Sequence, residues 1–161
     1  RTKSALYHSI KDIKPSDQVL LAWTLSPDII VKKYELNTPP LSKRISAIKS
    51  ALDDGWKVRL CFDPILHYDG WKEDYLELFN EVKSSLILDQ VSDITVGVFR
   101  MGNDYFNRIR KSKPISDIFY ENYSNCDGKK IIDSEKQREI NQVVSKFFFG
   151  HFDTNKIYFW Y

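Results

Sequence analysis

The sequence has few of the residues that mark several common protein classes. Two cysteines, Cys61 and Cys126, are too few for a disulfide-rich extracellular domain and favour a reducing compartment. The six glycines form no G-x-G-x-x-G or P-loop pattern, which disfavours a nucleotide-binding phosphate loop. No apolar run approaches the roughly 20 residues that span a bilayer, and "RTKSALYHSI" lacks the apolar core of a signal peptide. We therefore expect a cytoplasmic protein.

Charge of one sign is also not in excess. The chain carries 24 basic and 22 acidic side chains, a net charge of +2, which neither requires nor excludes a nucleic-acid partner. Any basic surface must therefore come from clustering. With 161 residues the chain is long enough to bury one substantial core.

The order of apolar and polar segments predicts strands that alternate with helices. Strands are expected at 18–23, 57–62 and 93–99, with a last one in "KIYFWY". Helices are expected at 4–13, 26–34, 38–55, 71–86 and 103–112 and from Ser134 onwards, and "NCDGKK" predicts a hairpin turn. Such alternation is typical of parallel β/α units, which form either half of an eight-fold barrel or a small open sheet. In both architectures a ligand site lies at the carboxyl ends of the strands.

A series of motifs in a fixed order carries a family resemblance. The positions are Ser26, Glu35, Thr38, Arg44, Pro64, Ile65, His67, Gly70, Trp71, Leu78 and Phe79, within "WTLSPDII" to "LELFNEV". This order resembles the C-terminal half of the spore photoproduct lyases and their radical S-adenosylmethionine (SAM) relatives. The resemblance implies an α/β fold, the C-terminal part of a partial radical SAM (β/α) barrel. Residues 1–102 would form barrel units, and 103–161 a basic helix, a hairpin, a terminal helix and a strand.

One element of that family is missing from the sequence. Its members hold a [4Fe–4S] cluster with a C-x3-C-x2-C run, and Cys61 and Cys126 cannot replace it. We expect SAM and the cluster to act in the complete protein, with the cluster ligands on the missing N-terminal half of the barrel. That half would be a separate polypeptide or the preceding part of a longer chain, because the sequence starts with Arg1 inside the expected fold. The complete protein is expected to be a monomer that binds DNA with a thymine lesion.

The resemblance implies a set of cofactor-binding residues at strand ends. Lys3 and Ser26 would contact SAM, and Asp63, Pro64 and Ile65 would touch its adenine. Each has a structural alternative. Lys3 could be a solvated lysine, Ser26 a helix N-cap followed by Pro27, and the other three an ordinary turn between strand and helix.

A second set would bind substrate. His67, Tyr68 and Trp71 would form an aromatic wall, since aromatic faces stack on bases. Trp71 could instead be a hydrophobic lid at the start of its helix, and zinc at His67 is disfavoured because no second histidine lies nearby. Arg100 is expected to end a strand, and the resemblance implies that it contacts the lesion. A guanidinium can bind a phosphate with two parallel hydrogen bonds.

Basic residues then cluster in the predicted helix and hairpin. They are Arg108, Arg110, Lys111, Lys129 and Lys130, with Lys113 between and with Tyr120 and Tyr123 interleaved. Such a cluster suits a DNA backbone, although a solvated charged face is the common alternative.

Glu35, Thr38 and Arg44 have a structural interpretation, in which Thr38 caps a helix and Glu35 pairs with Arg44. No residue of the segment is predicted to be catalytic. The leading hypothesis is the cofactor- and substrate-binding half of a radical SAM DNA-repair lyase. The alternative is a non-catalytic nucleic-acid-binding remnant of that fold. A domain that binds a phosphorylated metabolite ranks last, since the sequence has no phosphate loop.

Overall fold

The computed structural model describes residues 1–160, which form seven strands and five α-helices. The strands are β1 (Leu20–Thr24), β2 (Lys57–Ile65), β3 (Asp93–Val98), β4 (Arg100–Gly102), β5 (Tyr123–Cys126), β6 (Lys129–Ile132) and β7 (Ile157–Trp160). The helices are α1 (Asp28–Tyr34), α2 (Leu41–Asp53), α3 (Trp71–Ser85), α4 (Asn103–Ser112) and α5 (Ser134–Phe148). The predicted strands and the hairpin at "NCDGKK" are confirmed, as are the helices after residue 25.

The main sheet has four parallel strands in the order β1-β2-β3-β7. One face is apolar and packs against α3 and α5. Phe62 of β2 lies 4.9 Å from the ring of Phe79 in α3 and 6.0 Å from the ring of Phe148 in α5, measured between ring centroids. These rings belong to one continuous core. Burial of these apolar residues is the main force that holds the helices on the sheet.

Polar side chains lie on the opposite face of the main sheet along β2 and beside it. Alternation along β2 places Arg59, Cys61 and Asp63 on this face. Thr24 of β1 and Thr95 of β3 pair in register with Cys61 from either side. The sheet therefore presents a polar face that leads to the carboxyl ends of its strands.

A second, antiparallel sheet extends from the first. Its strand order is β4-β6-β5, and a tight turn at Asp127 (φ 48°) and Gly128 (φ 72°) joins β5 to β6. Both turn residues have positive φ, as a two-residue hairpin requires. Arg100 was predicted to end the third parallel strand. It instead begins β4, because Arg100–Gly102 pairs with β6 rather than continuing β3.

Two further local predictions were wrong. Residues 4–13 form only a short 3₁₀ turn, Tyr7–Ile10, since the Ser4 hydroxyl accepts a hydrogen bond from the Leu6 backbone and competes with a helix. Ser134 does not cap α5. The Asp133 carboxylate does, by accepting from the backbone N–H groups of Glu135 and Lys136.

None of the helices in the described part of the chain is long and apolar enough to cross a membrane.

Candidate functional site

The site lies where β1 and β2 end side by side. Strand β1 ends at Thr24 and leads into Ser26, and β2 ends at Asp63 to Ile65. The two strands are parallel neighbours, so their carboxyl ends meet at one edge of the sheet. A bond from the Leu25 N–H to the Cys61 carbonyl (3.0 Å) continues the pairing past the end of β1.

The Glu35 carboxylate binds three polar side chains near the end of β1. Its Oε1 atom accepts from the Ser26 hydroxyl at 2.7 Å and lies 2.8 Å from Lys3 Nζ. Its Oε2 atom accepts from Arg44 Nη2 at 2.7 Å. The two predicted SAM-binding side chains, Lys3 and Ser26, thus meet at one carboxylate. The helix-cap alternative for Ser26 is wrong, because its hydroxyl bonds Glu35 and the N-cap position of α1 belongs to Pro27.

Arg44 fastens this carboxylate to the sheet and is itself completely buried. Its guanidinium donates to the Thr24 and Pro39 carbonyls and to the Thr38 hydroxyl, in addition to Glu35. The predicted Glu35–Arg44 pair is therefore confirmed. Thr38 does not cap α2, since Pro40 occupies that position and the Thr38 hydroxyl donates to the Glu35 carbonyl. We call Lys3, Ser26, Glu35, Thr38 and Arg44 the Glu35 network.

The surroundings of Glu35 favour its charged form. Burial alone raises the pKa of the Glu35 carboxyl, but hydrogen bonds from Lys3, Ser26 and Arg44 outweigh this effect and hold the pKa below its ordinary value of 4.5. A carboxylate is therefore present at neutral pH, and it balances the buried Arg44 charge.

Asp63 and Arg100 meet at the end of β2. Arg100 Nη1 donates to Asp63 Oδ1 at 3.0 Å and to the Val98 carbonyl at 3.1 Å. Arg1 Nη1 donates to Asp63 Oδ2 at 2.8 Å, and Arg1 Nε donates to the Thr24 hydroxyl at 2.8 Å. The structure thereby joins Asp63, which was predicted for the cofactor, to Arg100, which was predicted for the substrate.

The segment between β2 and α3 holds the other predicted residues. His67 Nε2 lies 3.0 Å from Glu139 Oε2 of α5, and the Tyr68 hydroxyl donates to Asp74 Oδ2 at 2.7 Å. Burial, followed by this bond to Asp74, raises the pKa of Tyr68 above its ordinary value. Both side chains are partly exposed, so a ligand can reach them.

Three of the predicted contact residues are buried: Ser26 in the Glu35 network, and Ile65 and Trp71 in the apolar core. Ile65 has no exposed surface, so its side chain is not available to a cofactor in this conformation, whereas Pro64 before it is exposed. Trp71 is buried, and its ring lies 5.3 Å from His67 and 6.2 Å from Tyr75. Of the two interpretations of Trp71, the hydrophobic lid at the start of α3 fits this position.

A cavity of about 80 Å³ lies beside this segment, between α1 and the second sheet. Its walls include His67, Tyr68, Tyr34, Phe99 and Tyr123. Sequence reasoning missed Tyr34, whose hydroxyl donates to Asp117, because nothing in a lone tyrosine on a helix indicates a partner so far along the chain. Aromatic side chains therefore line a cavity beside the carboxyl end of β2.

The basic residues lie on α4 and on the hairpin of the second sheet, and Arg110 of the helix meets Lys130 of the hairpin at the Phe106 ring. The Asn103 N–H at the start of α4 donates to the Gly128 carbonyl at the hairpin turn (2.9 Å), which fixes the helix against the hairpin. Arg108 lies 5.1 Å from the Tyr105 ring, and Arg110 and Lys130 lie 5.9 and 6.0 Å from the Phe106 ring, measured to the ring centroids. We call Arg108, Arg110, Lys111, Lys129 and Lys130 the basic surface. Its arginines, Lys111 and Lys129 are exposed.

The part of the chain that the structure describes has no cluster of side chains that could hold a metal ion. In residues 1–160, no group of three or more His, Cys, Asp or Glu side chains could hold a metal ion. Cys61 is buried in β2, and Cys126 is exposed on the hairpin. These residues do not fit a [4Fe–4S] cluster.

Comparison with known proteins agrees with this geometry. The sequence profile described as spore photoproduct lyase matches residues 1–160. Spore photoproduct lyase of Bacillus subtilis (strain 168) is 28% identical over 127 residues, which cover 79% of this chain and 34% of that protein. The Geobacillus sp. (strain Y412MC61) enzyme of the same name is 26% identical over 94 residues, 58% of this chain and 28% of that protein.

Solved structures show the same fold. A spore photoproduct lyase complexed with dinucleoside spore photoproduct superimposes with a TM-score of 0.79 at 20% identity, covering 99% of this chain and 49% of that one. A double mutant of spore photoproduct lyase with bound AdoMet and the same dinucleoside superimposes with a TM-score of 0.80 at 19% identity, again covering 99% of this chain and 49% of that one. This chain thus spans about half the length of the solved structures. The predicted α/β class, part of a radical SAM barrel, is confirmed, and the chain belongs to the spore photoproduct lyase family.

Proposed function

We propose that this chain is the SAM- and substrate-binding half of a radical SAM lyase that repairs spore photoproduct, a thymine lesion, in DNA. The observation that carries the proposal is the meeting of both predicted side-chain sets at neighbouring strand ends. Lys3 and Ser26 meet at Glu35, and Asp63 meets Arg100. The family relatives of known structure bind AdoMet and the dinucleoside lesion.

The Glu35 network has the donors and acceptor that suit the methionyl end of SAM. A lysine ammonium and a serine hydroxyl can donate to a carboxylate, and a glutamate can accept from an ammonium group. Lys3, with its side chain 38% exposed, is the member that a ligand reaches most easily. When bound, SAM together with a reduced cluster supplies the radical that takes hydrogen from the lesion.

The cluster would be held by residues outside this segment. We propose that the N-terminal half of the barrel carries them and packs along the free edge of β1 and the polar face of the sheet. Among the described residues, only Thr2 pairs with that edge of β1. Leu6, Val19 and Leu20 are exposed nearby, and covering them would remove apolar surface from water. The complete protein would act as a cytoplasmic monomer.

The second sheet would grip the DNA. Exposed arginines and lysines on α4 and the hairpin can neutralise phosphates, while the cavity beside His67 and Tyr68 offers aromatic faces to a base that has left the helix stack. Arg100, whose side chain is 30% exposed beside Asp63, would contact the lesion.

The test uses the full-length protein, reconstituted anaerobically with iron and sulfide. We expect 5′-deoxyadenosine to be released from SAM, and the release to rise when duplex DNA with spore photoproduct is added. No iron uptake and no release, with DNA binding retained, would overturn the lyase. That outcome would favour the second candidate, a non-catalytic nucleic-acid-binding relative.

A further inference from the structure

The pair Asp63–Arg100 sits in a space that only glycine leaves open. Gly97 of β3 faces the pair, and a Cβ atom added there would lie 2.2 Å from Asp63 Oδ1 and 2.8 Å from Arg100 Nη1. Both distances are far below contact distance. Gly97 does not have a positive φ, so the glycine is needed for space and not for an unusual backbone conformation.

The charges at this position do not cancel. Asp63 accepts from Arg100 and from Arg1, so one carboxylate faces two guanidinium groups and a positive charge remains. The Asp63 side chain is 12% exposed, whereas those of Arg1 and Arg100 are 45% and 30% exposed. The excess positive charge therefore lies on the solvent side, where an anionic ligand can approach.

Arg100 keeps donors for such a ligand. Within residues 1–160, Nη1 donates to Asp63 and Val98, while Nη2 reaches Asp63 only at 3.5 Å. A guanidinium has five N–H groups, so Nε and the outer side of Nη2 remain to bind a phosphate. Asp63 fixes the plane of the guanidinium and also competes with the phosphate for it.

We propose that Asp63, held in place by the gap at Gly97, is a specificity-determining residue that makes Arg100 discriminate lesion DNA from undamaged DNA. This inference rests on the proposed function. A carboxylate beside the guanidinium weakens its general attraction for phosphates, so that only a backbone presented in the correct geometry forms enough bonds to compete. Without the carboxylate, Arg100 would bind any phosphodiester.

The test measures binding of the full-length protein to a fluorescent duplex that contains one spore photoproduct and to the matched undamaged duplex, over a series of salt concentrations. The main variant is Asp63→Asn, which keeps the size of the side chain and removes its charge. We expect its affinity for undamaged DNA to rise about 3- to 10-fold at low salt. The slope of log affinity against log salt should become steeper by up to about 0.9, the value for one additional phosphate contact. The preference for lesion DNA should fall by the same factor, about 3- to 10-fold, because no change in the affinity for lesion DNA is expected.

Gly97→Ala tests the geometry independently. The added methyl group must displace the carboxylate, so the preference for lesion DNA should fall in this variant as well. The double variant Gly97→Ala, Asp63→Ser should differ from Asp63→Ser by less than Gly97→Ala differs from wild type, because the closer clash, with the carboxylate, is then gone and only the one with Arg100 Nη1 remains. Such non-additivity is expected only of residues in contact. Arg100→Ala is the reference for loss of lesion binding.

The outcomes separate the inference from the proposed function. If wild type does not prefer lesion DNA and does not release 5′-deoxyadenosine, the proposed function fails and takes the inference with it. If wild type prefers lesion DNA and Asp63→Asn keeps the same preference, the inference alone is wrong. If Asp63→Asn loses affinity for both duplexes equally and unfolds at a lower urea concentration than wild type, Asp63 has a purely structural role and the inference is also wrong.

Discussion

Two charged regions of this molecule are built in opposite ways. In the Glu35 network, Arg44 is completely buried, and the Glu35 carboxylate lies within 2.8 Å of its partners Lys3, Ser26 and Arg44. On the basic surface, arginines are exposed and the contacts of Arg108 and Arg110 are to aromatic rings, 5.1 and 5.9 Å away. The first region fixes its side chains in one geometry, and the second leaves them free to adapt.

The difference follows from the cost of burying charge. An ion removed from water must be paired and hydrogen-bonded or it destabilises the fold. Arg44 accordingly donates to the Pro39 and Thr24 carbonyls, to Glu35 and to Thr38. An exposed arginine pays no such cost, and its attraction for an anion is screened by salt. The Glu35 network is therefore suited to position a small ligand, and the basic surface to contact a long polyanion.

The largest effect is expected from breaking the buried pair. Arg44→Ala leaves the largely buried Glu35 carboxylate without its buried counter-charge, and such a loss costs about 3–5 kcal/mol of unfolding free energy. Urea unfolding of the full-length protein measures it. Lys43→Ala, an exposed neighbour on the same helix, is the matched control and should change stability by less than about 0.5 kcal/mol. Similar values for both variants would contradict the role given to Arg44.

A smaller effect depends on pH. Because the folded-state pKa of Glu35 lies below 4.5, its charge stabilises the fold fully above that pH and progressively less as the pH falls through the folded pKa. Glu35→Gln should therefore be less stable than wild type by about 2 kcal/mol at neutral pH, and the difference should shrink below about pH 4.5.

Urea midpoints of wild type and Glu35→Gln, measured from neutral to acidic pH, test this dependence. Glu77→Gln on α3, where the side chain is exposed, controls for the loss of an ordinary carboxylate and should follow wild type at every pH. A constant difference between wild type and Glu35→Gln across the acid range would mean that the charge of Glu35 does not stabilise the fold.

The sequence was sufficient wherever a local pattern decided the structure. Apolar periodicity placed α2 and α3, and the positive-φ preference of Asp127 and Gly128 placed the hairpin. The pairing of Glu35 with Arg44 could be expected from the order of motifs. The candidate site residues were predicted from the family resemblance, because composition alone would have favoured an ordinary turn at Asp63 to Ile65.

What the sequence could not predict depends on contacts between distant segments. Glu139 lies 72 positions from His67 and meets it only because α5 packs beside α3. The steric need for glycine at position 97 becomes visible only in the folded structure, where Asp63 and Arg100 lie next to it. Likewise, the separate strand at Arg100 arises from pairing with β6, a long-range contact that a continuous "DITVGVFRM" run does not reveal.

The smallest effect is expected on the basic surface and tests whether its charges contact DNA. Arg110→Ala should weaken DNA binding only a few-fold and reduce the slope of log affinity against log salt by about 0.9, the value for one lost phosphate contact. Stability should stay within about 0.5 kcal/mol, because Arg110 is exposed. Lys49→Ala, an exposed lysine on α2, should leave the slope unchanged. If both variants leave it unchanged, the Arg110 side of α4 is a solvated face, and the grip on DNA would have to come from the hairpin lysines and Arg100.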